Sequence, residues 1–193
     1  MTPTILTIGH SRHTIERFIA LVESAGVTAI VDVRSAPASR FSPQFNQKAL
    51  AATLAARGVD YLFLGKELGG RPERTELYTR GVADYEKMEA APEFRAGLVR
   101  LVELAKRHCV AAMCAEADPL DCHRCLLVGR ALTEAGRDVA HILPSGEIIP
   151  HADAEDRLLE LEGLAEADLL LPRTERLAEA YRARNRKAAY RAP

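Results

Sequence analysis

Thr4-Ile5-Leu6-Thr7-Ile8-Gly9, then Thr14, Ile15, Phe18, Ile19, Val22 and Gly26, then Ala29-Ile30-Val31-Asp32-Val33, form one β–α–β unit at the head of the chain. The first run is short and rich in β-branched residues and ends at a glycine, the pattern of a strand buried on both faces. Thr14 supplies a helix cap, the apolar residues recur at i, i+3, i+4 and i+7, and Gly26 ends the helix. Ala29–Val33 is a second buried strand.

The same alternation continues outward. A polar, proline-containing stretch from Arg34 to Asn46 leads to a helix from Gln47 to Arg57, closed by Gly58, and to a strand Asp60–Phe63. Leu64 to Arg80 is read as a long loop, the kind that is usually functional or mobile. Helical patterns resume at Val82. Pro92 suits the first turn of a longer helix with Phe94, Leu98, Leu101, Val102 and Ala105 on its apolar stripe. Val110–Cys114 is a fourth strand, followed by a helix from about Cys122 to Ala135. Val139–Leu143 is a fifth, and Glu147-Ile148-Ile149 a short sixth. A last long helix is expected over Asp153–Leu171, broken near Gly163. Strands alternating with helices predict a single three-layer α/β domain over residues 1–150, with a mainly parallel sheet of five to six strands. Residues 151–193 are read as a helical C-terminal extension with a basic tail.

The 193 residues are 48% hydrophobic and 27% charged with a net charge of −1, the balance of a chain that buries one sizeable core and is not disordered. No apolar run approaches the roughly 18–20 residues that span a bilayer. The N-terminus lacks a basic, apolar signal pattern, so a membrane partner is excluded and a cytoplasmic address is expected. Four cysteines (Cys109, Cys114, Cys122 and Cys125) are too few for a disulfide scaffold, and their clustering marks one region. Charge is uneven. Arg173, Arg176, Arg182, Arg184, Arg186, Lys187 and Arg191 face only Glu175 and Glu179 in the tail, against a mildly acidic body.

In an open α/β sheet ligands bind beyond the carboxyl ends of the strands. The residues that follow each predicted strand are Gly9, His10 and Ser11; Asp32 and Arg34; the glycine-rich run from Leu64 to Arg71; and Cys114, Glu116, Cys122, His123 and Arg124. Polar, titratable and glycine residues thus gather at one rim. Gly9-His10-Ser11 suits a turn whose amides and hydroxyl hold an anion, although the further glycines of a dinucleotide site are missing. Asp32 and Arg34 should project to one side, either as an internal ion pair or, with Arg40, Lys66, Arg71, Arg74 and Arg80 in neighbouring loops, as the wall of an electropositive cleft. A cysteine near Arg124 at a helix start is an activated nucleophile, and Glu116 and His123 suit acid–base work. Cys109 and Cys125 read as small buried hydrophobes. Cys114, Cys122, His123, Cys125 and His108 contain enough ligands for zinc, and Cys122-x-x-Cys125 has ligand-like or redox-like spacing, but the second pair of a finger is absent and no metal ligand is assigned.

Thr7-Ile8-Gly9-His10-Ser11, Asp32-Val33-Arg34, Pro37 with Ser39 and Phe41, Leu68-Gly69-Gly70, Cys114-x-Glu116 and Cys122-His123-Arg124 occur in this order. In these motifs the chain resembles the domain-of-unknown-function family 488 over roughly Thr4 to Ile149. The resemblance implies a compact cytoplasmic bacterial or archaeal protein and names no reaction or cofactor. A weaker likeness, in Ile30–Arg34 and in the strand ending at Cys114, is to rhodanese-like sulfurtransferases. Here the loop after Cys114 is longer and acidic, which would repel a thiosulfate-like anion. The expectation is an enzyme acting on a phosphate-bearing ligand, a nucleotide or nucleic acid. Ser11, Arg34 and Arg124 would hold the anion, assisted by Gly9, His10 and Asp32, and Cys114, Glu116, Cys122 and His123 would carry the chemistry. The alternatives are sulfur transfer through Cys114 or Cys122, and a nucleic-acid-binding module that docks through its basic tail.

Overall fold

A computed structural model describes residues 3–166 and 171–192. Its centre is a six-stranded sheet of β1 (Ile5–Gly9), β2 (Ala29–Asp32), β3 (Asp60–Phe63), β6 (Val110–Cys114), β7 (Val139–Ile142) and β8 (Ile148–Pro150), in the order β3-β2-β6-β1-β7-β8. All neighbours run parallel except the edge pair β7–β8. The α/β class, the mainly parallel sheet and the helical C-terminus agree with the sequence reading.

Right-handed crossovers decide which face each helix covers. The chain steps one way along the sheet from β1 to β2 to β3, and the other way from β3 to β6 to β7. The connecting helices therefore fall on opposite faces. α1 (Ile15–Ser24) and α2 (Gln47–Ala55) cover one side, where Phe18, Val22, Leu50 and Leu54 pack on Ile8, Ile30 and Met113. The opposite side is covered by α5 (Pro92–Ala105), a π-helical turn (Arg124–Gly129) running into α6 (Arg130–Glu134), α7 (His151–Leu161) and α8 (Arg173–Ala188). There Leu101, Leu127 and Leu158 meet Val31 and Ala112. Period-two alternation also turns Thr7, Cys114 and His141 toward this second face. Among the described residues no helix is long and apolar enough to cross a membrane.

Three segments depart from expectation. The stretch Leu64–Arg80 contains a helical turn, α3 (Gly65–Leu68), and the strand β4 (Tyr78–Thr79). Val82 does not resume a helix; Val82–Ala83 is β5, hairpinned to β4, and the helix α4 begins at Tyr85 (Tyr85–Ala90). The helix expected from Cys122 starts one step later, because Cys122 is extended (φ −139°, ψ 138°), and its first turn is the π turn, all six of whose residues are buried. The expected helix Asp153–Leu171 ends at Leu161, just before Gly163 at φ 71°; its 167–170 portion lies outside the described residues.

The end of the chain is tied to the body. Ala83 N–H donates to Tyr190 O at 2.9 Å, Val82 and Arg191 form a β-bridge, and Ala192 N–H donates to Gly81 O. The basic side chains of α8 are largely committed: Arg173 to Asp156 at 2.8 Å, Arg182 to Glu86, Arg184 to Asp121, Lys187 to Glu162, and Arg176 to the carbonyls of Leu164, Ala165 and Glu166. The expected basic arm is folded down onto acidic partners.

Candidate active site

The carboxyl ends of β1, β2 and β6 lie side by side, and each contributes differently. β1 is a splint. Beyond it, His10 N–H donates to Cys114 O at 2.9 Å and Ser11 N–H to Ala115 O at 2.8 Å, with Ser11 at φ 47°. The two amides expected to hold an anion are used inside the protein. Gly9 does permit a close backbone approach, but the neighbour is the chain itself: a Cβ there would lie 1.9 Å from Glu116 O.

β2 delivers the ion pair, the internal arrangement weighed from sequence. Arg34 donates from Nε to Asp32 Oδ1 (2.9 Å) and from Nη2 to Asp32 Oδ2 (2.6 Å) and to Phe45 O (2.8 Å). Tyr61 O–H donates to the same carboxylate at 2.7 Å. The remaining nitrogen, Nη1, donates to His10 Nε2 at 3.1 Å, and His10 Nδ1–H donates to Ser11 O. The ring of His10 stacks on Phe45 with centroids 4.3 Å apart. Burial first, and then the Arg34 guanidinium, lower the His10 pKa to about 4, so the imidazole is neutral and accepts from arginine. Arg34 borders the cleft but has four of its five N–H donors engaged.

β6 and the loop after it supply the reactive groups. Asp118 accepts from Leu120 N–H and starts a short turn (Pro119–Asp121) that brings Cys122 and His123 back beneath Cys114. Arg124, fully buried, donates from Nη1 to Glu116 O (2.7 Å) and from Nη2 to Ala117 O (3.0 Å). It pins this loop instead of reaching a ligand. Glu116 Oε2 lies 3.0 Å from Cys114 Sγ and 2.9 Å from Cys122 Sγ. His123 Nε2–H donates to Val33 O at 2.9 Å, which aims Nδ1 at the sulfurs, 3.6 Å from Cys114 and 3.9 Å from Cys122. Gly70 covers the ring closely; a Cβ there would lie 2.8 Å from His123 Cγ.

Burial, then Cys122 and Glu116, push the Cys114 thiol up, and burial, then Cys122, raises Glu116. At Cys122 burial also resists charging but is outweighed by the hydrogen bond from Cys114, by Arg124 and by His123, so this sulfur carries the negative charge. Burial opposes protonation of His123 too, yet Cys122 and Glu116 raise its pKa. The cluster thus favours negative charge on Cys122 over Cys114 and positive charge on His123, with Glu116 crowded against them.

Cys114, Glu116 and His123 form the floor of a cleft of about 160 Å³, lined also by Ser35, Arg71, Tyr85 and Tyr190, with Cys122 buried behind them. Of the basic loop residues, only Arg34 and Arg71 border it. Arg74 is paired with Glu76 and Glu93, and Arg40 lies over the Phe41 ring. With Glu116 inside, the lining is of mixed charge, not the electropositive wall expected. Arg71 forms no ion pair among the described residues; its guanidinium lies over Tyr190, 4.9 Å from the ring centroid.

Of the five possible zinc ligands, Cys114, Cys122 and His123 come together within 4.8 Å of one another. His108 sits at the opposite end of the sheet beside Thr28 and Asp60, with Cys109 next to it, half-buried. Cys125 is buried but not merely a hydrophobe: it joins His141 and His151 in a second group. Neither histidine, nor Tyr85 of the cleft, is marked as a site residue by the sequence, and Tyr190 stands out there only as an aromatic among the basic residues of the tail. Thr7 and His141 did carry a signal, as polar residues inside strands that are otherwise apolar on both faces.

A family model described as Domain of unknown function DUF488 matches residues 14–131, and the chain belongs to this family. The matched span takes in Asp32, Arg34 and the Cys114–Arg124 loop and begins after the Gly9–Ser11 splint. No curated protein and no solved structure matches the chain.

Proposed function

We propose that this chain is a metal-dependent hydrolase of a phosphate-bearing small molecule, with Cys114, Cys122 and His123 as the ligands of a divalent ion and zinc as the best fit to the donors. The observation that carries the reading is the convergence of two sulfurs and one imidazole nitrogen with a carboxylate oxygen 2.9–3.0 Å from both sulfurs. Three groups that can each be negative share one buried space, and only protons or a cation can neutralise them. Two thiolates and a neutral imidazole match zinc in charge and softness. The Nε2–H bond of His123 to Val33 O is the outer contact that orients a ligating histidine.

A closed structural site takes four protein ligands, whereas three at the base of a cleft leave a position for chemistry. A divalent ion there would supply Lewis acidity. Glu116, against the cluster but not counted among its ligands, is the group to take up and return a proton. Arg71 and the Ser35 hydroxyl, at the mouth, suit the anionic part of the substrate. Glu116 also weighs against sulfur transfer, because a carboxylate 3.0 Å from Cys114 Sγ opposes a persulfide anion on that sulfur. The commitment of the α8 cations to acidic partners likewise weighs against docking on nucleic acid through the tail.

Elemental analysis of natively purified protein, beside Cys122→Ser, tests the reading together with a phosphate-ester panel. Zinc that is lost in the variant, along with hydrolysis, is the expected result. A cleft free of metal whose Cys114 gains one sulfur in mass from a persulfide donor would replace this reading with sulfur transfer.

A further inference from the structure

On the far side of the π turn from the cleft, Cys125, His141 and His151 meet in the sealed interior, 1%, 0% and 3% exposed. They come from the π turn, β7 and the first residue of α7. Cys125 Sγ lies 3.6 Å from His141 Nε2, and His141 Nε2 lies 2.9 Å from His151 Nδ1. The outward nitrogens are both held. His141 Nδ1 is 2.8 Å from Thr7 Oγ1, and His151 Nε2 is 3.0 Å from Tyr181 Oη, which donates to Glu155 at 3.1 Å. Gly129 leaves room for the His151 ring; a Cβ there would stand 3.3 Å from Cε1.

Without an ion the inner atoms of this group compete for one nitrogen. His141 Nε2 is contested by Cys125 and His151. If it carries the proton and donates to His151, the thiol has no acceptor in the group. If it accepts, two donors share one lone pair. An ion removes the conflict, since all three inner atoms become ligands. His141 then donates Nδ1–H to Thr7 and His151 donates Nε2–H to Tyr181, the outer hydrogen bonds that ligating histidines make.

We infer that Cys125, His141 and His151 form a second, buried metal site, built for a single cuprous ion. One thiolate and two imidazoles are the trigonal donor set of copper, and no hard cation prefers them. Charge selects the oxidation state. The fully buried Arg124 guanidinium acts on both Cys125 and His141, opposed by the Cys122 sulfur at both and by Asp118 and Glu155 at Cys125. A divalent ion with one thiolate would bury a net positive charge of its own, whereas Cu⁺ with one thiolate is neutral. The cleft cluster, with two thiols and a carboxylate, has the opposite balance. This inference stands apart from the hydrolase reading.

The test uses the full chain with the cleft site removed, as Cys114→Ser/Cys122→Ser, titrated anaerobically with Cu⁺ against a chromophoric Cu⁺ chelator. One equivalent is expected to leave the chelator, with copper X-ray absorption showing one sulfur and two nitrogen neighbours. Adding Cys125→Ser or His151→Gln should abolish the transfer while circular dichroism reports a native fold; the glutamine retains a polar partner for Tyr181. No copper bound by the folded double variant, or binding unchanged by Cys125→Ser, would overturn the inference. Loss of metal by the cleft variants alone leaves it standing.

Discussion

Cys122 and Cys125 stand three residues apart, yet one packs behind the groups that floor the cleft and the other enters the sealed interior. The two clusters they enter use the same ligand types and differ in access and in charge. Cys114, Cys122 and His123 have Glu116 beside them and open on a cleft lined by Arg71 and Tyr190. Cys125, His141 and His151 have Thr7 and Tyr181 as outer partners. An open position beside a carboxylate is what catalysis requires, and a closed set of outer hydrogen-bond partners, with Glu155 behind Tyr181, is what retention of an ion requires. Ligand identity alone does not separate the two roles; their surroundings do.

Exchanging the carboxylate near each cluster should break the comparison most sharply. Glu116→Gln is expected to cut hydrolysis by about 10²–10⁴-fold with the cleft metal retained, read from turnover and elemental analysis together. Glu155→Gln, beside Tyr181 on the sealed side, should leave turnover alone and lower unfolding free energy by about 1 kcal/mol. Equal effects on turnover from both would erase the distinction.

The cleft side also rests on the buried ion pair. Asp32→Ala strands the Arg34 guanidinium and should cost about 3–5 kcal/mol in denaturant unfolding; a cost under about 1 kcal/mol would mean that Arg34 swings out to solvent.

Acid should act on the same strut. The His10 pKa is depressed from 6.5 to about 4, so between those values the unfolded chain takes up a proton that the folded chain refuses. His10 therefore contributes stability that is fully present above pH 6.5 and lost as pH falls toward 4, on the order of 3 kcal/mol in all. The difference in unfolding free energy between the natural chain and His10→Gln should narrow by that amount from pH 7 to pH 4.

The smallest effect belongs to the cleft mouth. Arg71→Ala, at an exposed position, should raise KM for a phosphate ester about tenfold, or ~1.4 kcal/mol, with kcat nearly unchanged. A fall in kcat instead would move Arg71 from binding to the chemical step.

The sheet was legible in the sequence because buried strands and capped helices leave local marks, Thr14 and Gly26 among them. The rim was legible because chemistry-bearing residues follow strand ends. What stayed hidden is partnership. Arg34 and Arg124 look alike as rim cations, but one is tied to Asp32 and the other to two backbone carbonyls. No spacing rule announces a guanidinium that serves the main chain. The Cys122-x-x-Cys125 pair misleads for a geometric reason. Helical spacing would set both on one face, but Cys122 is extended and the helix begins after it, so the two sulfurs diverge. His151 gives no local sign, since it opens a helix and meets His141 only through the turn back from β7 to β8.

Tyr190, which lines the cleft and lies under Arg71, is held by the hairpin through its own carbonyl. During synthesis the cleft therefore gains this wall only after Tyr190 has emerged, long after the strands that carry its floor.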